Sequence, residues 1–277
     1  MKKNLKFYLK GILNKKDLSL APSSFDVVGD IMLFADFPRQ LVKKEKIIGK
    51  AILENYHNIK TVMRKTKKYS GRFRTPKYKI IAGEKTKETT HKENNVFLSM
   101  DVEKVYFSPR MGSERRRIAE MVKPDESVLV MFSGCAPYPL VIAKNSDCKE
   151  VYGIEINPTA HKCALLNVKK NKFENKIKLF CGDVGKIMPK LNKKFDRILM
   201  PLPKGGEAFL ELALGYIKKN GFIHFYDFLK EEEFALAARK IADACRLQNK
   251  KFKILNIAKC GEFGPGIFRI CVDLQVI

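Results

Sequence analysis

From residue 101 onward, short apolar runs and amphipathic stretches alternate along the chain. The pattern predicts strands at 127–132, 150–156, 177–182, 195–200, 221–228, 252–258 and 267–276. Between them it predicts helices at about 138–145, 158–171, 205–218 and 231–247, with another at 113–122 carrying Arg116 and Arg117 on its polar side. Pro158 falls near the first turn of its helix, where a missing N–H costs nothing. Regular alternation of this kind predicts an α/β fold built on one doubly wound, Rossmann-like sheet. The last two strands flank the glycine-rich loop CGEFGPG at 260–266 and read as an antiparallel pair.

Upstream the pattern differs. Residues 25–34 read as a strand pair broken at Gly29-Asp30, a tight-turn signal. In 41–56, Leu41, Ile47, Ile48, Ala51, Ile52 and Tyr56 share one helical face. Short strands follow at 61–63, 78–82 and 96–100. The domain organisation expected is a basic amphipathic segment at 1–20, a small α+β domain at 21–100 and the α/β domain at 101–277.

Composition changes the picture through charge. Fifty-four Lys and Arg stand against thirty Asp and Glu, a formal net charge of +24, which implies attraction to a polyanion such as nucleic acid. Solvated lysine-rich faces are the alternative, and clustering argues against it. Residues 60–79 hold nine basic residues and no acid, interleaved with Tyr69, Phe73 and Tyr78. No run approaches the eighteen to twenty apolar residues that span a bilayer, and no signal peptide is evident, so a cytoplasmic monomer without a membrane partner is expected. Seven scattered cysteines, none in a CxxC pair, read as reduced thiols, and no metal site is suggested.

The candidate chemistry lies at strand ends. A small-residue turn, Ser133-Gly-Cys-Ala136, follows the 127–132 strand, and the next strand closes on Glu155, about twenty residues later. In this layout a glycine turn lets backbone approach a ligand, and the acid ending the second strand takes a ribose diol. The turn lacks the G-x-G-x-x-G spacing that seats a pyrophosphate, which disfavours NAD and FAD. S-adenosylmethionine carries no phosphate and fits better. Met131, Phe132, Ser133, Gly134 and Ala136 are expected against the adenosine, with Glu155 and Ile156 at the ribose and Asp183 and Val184 at the adenine. Glu155 also reads as a solvated strand end, and Asp183 as a helix N-cap. After the 195–200 strand, Pro201-Leu202-Pro203 fixes an extended backbone able to hold a planar base edge.

Several strings together resemble the archaeal and eukaryotic tRNA (guanine-37 N1)-methyltransferases of the class I, Rossmann-like kind. They are FDVVGDI at 25–31, GRFRT at 71–75, HKEN at 91–94 and DVEKVYFSPRMGSER at 101–115, followed by MFSG at 131–134, IEINP at 154–158 and MPLPK at 200–204. The 101–115 string is the most specific. The resemblance implies S-adenosylmethionine as cofactor, the tRNA anticodon stem-loop as partner and N1 of guanosine 37 as target. It also implies Glu114 as general base, Arg74 as the group paired with O6, and Arg110 shaping the loop that holds Glu114 or touching phosphate. Guanine N1 holds its proton at neutral pH, so one carboxylate and one guanidinium are the minimal toolkit. From the residues alone, Glu114 reads equally as an acid near a helix start pairing with its neighbours.

If 72–74 is extended, only one of Arg72 and Arg74 faces the pocket. Tyr106, Phe107 and Tyr138 are candidates to stack on the displaced base, and Lys65, Lys67, Lys68, Arg72, Lys77 and Lys79 to track phosphates. Asn94 is expected to organise the domain junction. Three positions depart from the family pattern: Val130 for an Asp, Ala136 for a glycine and Pro201 for an Asn. Pro201 keeps a carbonyl where the family offers an amide. The related aminocarboxypropyl transferase of wybutosine synthesis is the alternative activity, and methylation of the imidazopurine precursor a possible addition. A non-catalytic RNA-binding protein is the alternative of a different class.

Overall fold

The structure is a computed structural model. It describes residues 5–71, 73–202 and 204–277. The chain divides into two compact units, one formed by residues through Glu93 with Phe97–Pro109, the other by Asn94–Val96 with Arg110–Ile277.

In the smaller unit, α1 (Leu5–Leu9) and α2 (Lys15–Leu20) precede β1 (Asp26–Val28) and β2 (Ile31–Phe34). Helix α3 (Glu45–Asn55) leads into β3 (Thr61–Ser70) and β4 (Thr75–Gly83). Strands β5 (Glu88–Glu93) and β6 (Val96–Asp101) pair separately from the four-stranded sheet β1-β2-β3-β4. Leu5, Leu9 and Leu13 recur every four residues and pack with Met32, Phe34, Leu41, Ile48, Ile52 and Val62. The first twenty residues therefore contribute to this core rather than standing apart as a basic segment.

The basic stretch at 60–79 is the long hairpin β3–β4. Several of its cations are already matched within the unit. Arg64 and Lys79 both pair with Glu45, whose carboxylate is almost fully buried. Burial alone would raise the Glu45 carboxyl, but its bonds to Lys79 and Arg64 overcome that and hold it below its ordinary value. Lys77 lies 3.4 Å from Glu103. Lys79 and Lys77 are thus internally paired, each with its side chain still exposed. Gly71 and Arg74 are not extended. Gly71 (φ 71°) and Arg74 (φ 48°) adopt left-handed backbone and close the hairpin with Arg74 N–H donating to the Gly71 carbonyl. The alternation argument about Arg72 and Arg74 requires an extended segment, and Arg72 lies outside the described residues.

The larger unit opens with α4 (Gly112–Met121) and β7 (Ser127–Met131). Then α5 (Pro137–Asn145), β8 (Glu150–Glu155), α6 (Pro158–Lys170), β9 (Ile177–Cys181), α7 (Val184–Leu191) and β10 (Phe195–Met200) alternate. The unit closes with α8 (Leu210–Tyr216), β11 (Ile217–Lys230), α9 (Phe234–Leu247), β12 (Phe252–Gly264) and β13 (Ile267–Val276). The sheet order is β12-β13-β11-β10-β7-β8-β9. Strands β11, β10, β7, β8 and β9 run parallel, while β13 and β12 add an antiparallel hairpin at one edge. Every residue of β7 and β8 is buried, as required of parallel strands covered on both faces. Pro158 begins α6 behind the N-cap Asn157, whose side chain accepts from Thr159 N–H at 3.0 Å. Among the described residues no helix is long and apolar enough to cross a membrane.

Candidate active site

Because β10, β7, β8 and β9 are parallel neighbours, Met200, Met131, Glu155 and Cys181 lie along one carboxyl edge of the sheet. Chain order reverses between β7 and β10, the place where open α/β sheets bind ligands. At the end of β7 the backbone turns through Phe132 (φ 57°), Gly134 (φ 57°) and Ala136 (φ 67°), all left-handed. Phe132 is held by a T-shaped contact with Phe209 at 5.0 Å, and Ala136 is fully buried. A left-handed alanine costs about 1–2 kcal/mol relative to the right-handed region, which is why glycine suits this position.

The turn and β8 meet at Glu155. Its Oε2 accepts from Gly134 N–H and its Oε1 from Asn157 N–H, each at 2.7 Å. Burial raises the Glu155 carboxyl, and these backbone donors, with Ile156, pull against it. Gly153 permits the close approach: a Cβ there would meet Leu179 Cδ2 at 2.7 Å and Ser133 Oγ at 3.0 Å. The Ser133 hydroxyl is buried without a hydrogen-bond partner.

Asp183 caps α7, accepting from Gly185 N–H at 2.9 Å, and Val184 is buried behind it. Ile156 is half-buried beyond Glu155. Pro201 and Leu202 are half-buried after β10, with Leu202 N–H donating to the Met200 carbonyl at 2.7 Å. Pro203 lies outside the described residues. Val130 is fully buried within β7.

Glu114 is buried on α4 with three side-chain hydrogen bonds to its carboxylate. Arg117, one turn further along, reaches Oε2 through Nε at 2.7 Å and Oε1 through Nη2 at 2.8 Å. The Tyr226 hydroxyl donates to Oε1 at 2.7 Å and itself accepts from the Tyr138 hydroxyl at 2.9 Å. Tyr138 is therefore a core residue, not a stacking partner for a base. Burial, with Glu114 nearby, pushes its phenol well above the ordinary range. Arg110 is exposed in the Pro109–Met111 turn before α4. Arg74 and Tyr106 belong to the smaller unit, as does Phe107, which tilts against His91 at 5.2 Å. Asn94 belongs to the larger unit, where its side chain donates to the Gly112 carbonyl at 2.8 Å.

The sequence reading passed over what lies behind Arg117. Its Nη1 reaches Asp273 Oδ2 at 2.6 Å, and Asp273 Oδ1 lies 2.6 Å from His224 Nδ1. His224 Nε2 lies 2.7 Å from Arg197 Nη1, and Arg197 also binds Glu126 at 2.7 and 3.0 Å. A guanidinium has no acceptor, so His224 Nε2 must accept and its Nδ1 carries the proton that goes to Asp273. Burial and the Arg197 charge push the imidazole below its ordinary value despite Asp273, leaving it neutral. Burial alone would raise Asp273; bonds from His224 and Arg117 instead hold it well below the carboxylate range. His224, Cys271 and Asp273 bring potential ligand atoms within 4.8 Å of one another, but the two guanidiniums already engage the His224 and Asp273 atoms. One signal was legible: Arg117 stands three residues after Glu114, on the same helical face.

Replacing Glu155 with alanine is expected to weaken adenosine binding by about 1.5–3 kcal/mol, by removing a carboxylate acceptor and leaving Gly134 N–H without it. Unchanged calorimetric affinity for S-adenosylhomocysteine would place the nucleoside elsewhere.

Comparison with known proteins agrees with this architecture. Residues 89–255 match the TRM5/TYW2 methyltransferase domain, and residues 5–86 the TYW2 N-terminal domain. The tRNA (guanine(37)-N(1))-methyltransferase Trm5b of Pyrococcus abyssi is 36% identical over 256 residues, covering 92% of this chain and 75% of that protein. The tRNA (guanine(37)-N(1))/4-demethylwyosine(37)-methyltransferase Taw22 of Nanoarchaeum equitans is 31% identical, covering 92% of this chain and all of that one. The crystal structure of Methanocaldococcus jannaschii Trm5 in complex with adenosine superposes with a TM-score of 0.81 at 30% identity, covering 99% of this chain and 78% of that one. With its methyltransferase domain matched over more than half its length, the chain belongs to the TRM5/TYW2 family.

Proposed function

We propose that this protein transfers a methyl group from S-adenosylmethionine to N1 of guanosine 37 in tRNA. It is an S-adenosylmethionine-dependent tRNA methyltransferase by family. The observation that carries it is the carboxylate of Glu155, fixed by Gly134 and Asn157 at the edge where chain order reverses. Those residues fit a nucleoside without phosphates: a carboxylate with acceptor capacity left over, beside a left-handed backbone turn.

When bound, the cofactor would supply an electrophilic methyl on a positively charged sulfur, the S–CH3 bond breaking with its electron pair to leave a neutral thioether. The protein's task is to make guanine N1 nucleophilic. Glu114 takes the N1 proton onto a carboxylate oxygen, and the electron pair left on nitrogen forms the new N–C bond. Arg74, always charged, offsets the negative charge that spreads to O6. Glu155 holds the ribose, and Asp183, which caps α7, accepts from the adenine amine. The half-buried Pro201 offers its carbonyl beside the base.

The test is an unmodified tRNA transcript incubated with S-adenosylmethionine labelled either in the methyl or in the aminocarboxypropyl moiety, followed by nucleoside identification. Methyl label in 1-methylguanosine at position 37, lost when that guanosine becomes adenosine, is the expected result. Aminocarboxypropyl label in the RNA would overturn it. The likeness to Taw22 supports a second reading, methylation of 4-demethylwyosine as well, detected by supplying tRNA already carrying that base.

Affinity for tRNA should fall steeply with salt, because the β3–β4 hairpin carries Lys65, Lys67 and Lys68. Replacing all three with alanine should flatten the slope of log affinity against log salt by about 2, from roughly 0.7–0.9 per phosphate contact. An unaltered slope would move the RNA footprint off this hairpin.

A further inference from the structure

We propose that Asp273 and Tyr226 are positioning residues for the methyl transfer, setting how readily the Glu114 carboxylate takes the proton from guanine N1. The proposal rests on Glu114 being that proton acceptor.

Three observations carry it. First, the hydrogen bonds form one continuous chain, Tyr138–Tyr226–Glu114–Arg117–Asp273–His224–Arg197–Glu126, buried except at the half-buried Arg117 and with no link longer than 2.9 Å. Second, its charges do not balance. Glu114, Asp273 and Glu126 are three carboxylates against the two guanidiniums Arg117 and Arg197, and His224 is neutral. Glu126 has Arg197 bidentately, and Asp273 shares Arg117 with Glu114. Within the hydrogen-bonded chain, then, Glu114 does not have a guanidinium to itself: Asp273 competes with it for Arg117, while Arg115 and Arg269 lie nearby outside the chain.

Third, the chain starts where the chemistry is expected. Tyr138 stands on α5, the helix that begins directly after the Phe132–Ala136 turn, and α4 with Glu114 packs against α5. The Tyr138 and Tyr226 phenols stay protonated, pushed up by burial. Tyr226 can thus only donate to Glu114 or pass its hydroxyl proton's direction toward Tyr138; it does not compete as a base.

Other charged or titratable groups face Glu114. From β12, burial and the Glu114 charge push the Cys260 thiol up, and on β13 burial and Asp273 do the same for Cys271. Both stay neutral. Arg115 on α4 lies 5.9 Å from the Tyr138 ring centre, and Arg269 on β13 stacks on Phe228 at 5.1 Å. These are constant across the working pH range. Asp273 and Tyr226 are the two adjustable contacts, and they act in opposite directions. Asp273 repels the Glu114 charge and draws Arg117 away from it, whereas the Tyr226 hydroxyl stabilises that charge.

The experiment is the pH dependence of the single-turnover rate of methyl transfer with the full chain and tRNA, so that product release does not mask chemistry. For Asp273→Asn, Arg117 belongs to Glu114 alone. The acidic limb should move down by about one pH unit, and the rate at pH 7 should fall about tenfold with the KM for tRNA unchanged. For Tyr226→Phe, which keeps the ring and the packing, the acidic limb should move up. Thermal unfolding identifies a variant that has lost its fold, and Tyr226→Phe keeps the test intact if Asp273→Asn does so. Profiles that superpose on the unaltered protein, or that move in the same direction, overturn the proposal. The prior reading fails separately: a Glu114→Gln protein with an unaltered rate removes Glu114 as acceptor, whatever Asp273 and Tyr226 do.

Discussion

Glu114→Gln is expected to lower the single-turnover rate of methyl transfer by about a hundredfold or more at neutral pH, while tRNA binding changes little. Glutamine keeps the length and planarity of the side chain and one carbonyl oxygen for Tyr226 and Arg117. What it loses is the ability to accept a proton, together with one of the two acceptor oxygens that Arg117 engages. The magnitude follows from general-base catalysis, which contributes typically 10²–10⁴-fold. The setting sharpens the expectation. Glu114 is buried and held from two sides, by Arg117 on its own helix and Tyr226 on β11, so no solvent molecule easily takes its place. The deficit should shrink as pH rises toward the range in which N1 loses its proton unaided. A variant as fast as the unaltered protein at pH 7 would show that N1 is deprotonated by another group, with Asp101 or Glu93 next to test.

The parts of this fold that were legible in the sequence are those where local pattern and tertiary demand coincide. Strands β7, β8 and β10 are buried on both faces, so their apolar runs declare themselves. The Glu155 position was legible because one strand end and one glycine turn have to meet there, and Gly134 N–H is the contact. Strand β3 was read at 61–63 but extends from Thr61 to Ser70, because seven of those ten residues are polar or basic and its pairing with β4 replaces an apolar face as the organising force. The buried ion chain was invisible for a different reason. His224 and Asp273 sit in strands whose neighbours are apolar, Glu126 and Arg197 are 71 residues apart, and Arg117 and Asp273 are 156 apart. Only the sheet order, which places β13 beside β11 and β11 beside β10, brings them together. Likewise no local signal separates Lys79, spoken for by Glu45, from the other lysines of the hairpin.

Arg197→Met should destabilise the larger unit by about 3–5 kcal/mol, the usual consequence of removing one partner of a buried ion pair. Arg197 is 1% exposed in the middle of β10 and is the largest fully buried side chain among the described residues. Its guanidinium answers both oxygens of Glu126, the Met121 carbonyl at 2.7 Å and His224 Nε2. It also lies 4.6 Å from the Phe222 ring centre, so its loss removes packing as well as charge. Methionine fills much of the stem volume but leaves Glu126, itself buried, with a charge and no partner. For a unit of this size the melting midpoint should fall by roughly 10 °C, at about 2–4 °C per kcal/mol. The cause can be isolated with a second substitution. Glu126→Leu in the Arg197→Met background removes the stranded carboxylate, and a buried pair exchanged for apolar side chains is often neutral to stability. The double variant should therefore recover most of the lost midpoint, although the Met121 carbonyl and His224 Nε2 still lack their donor, costing about 1–3 kcal/mol each. A double variant no more stable than Arg197→Met alone would mean that Arg197 stabilises the sheet through His224 and the Met121 carbonyl rather than through Glu126.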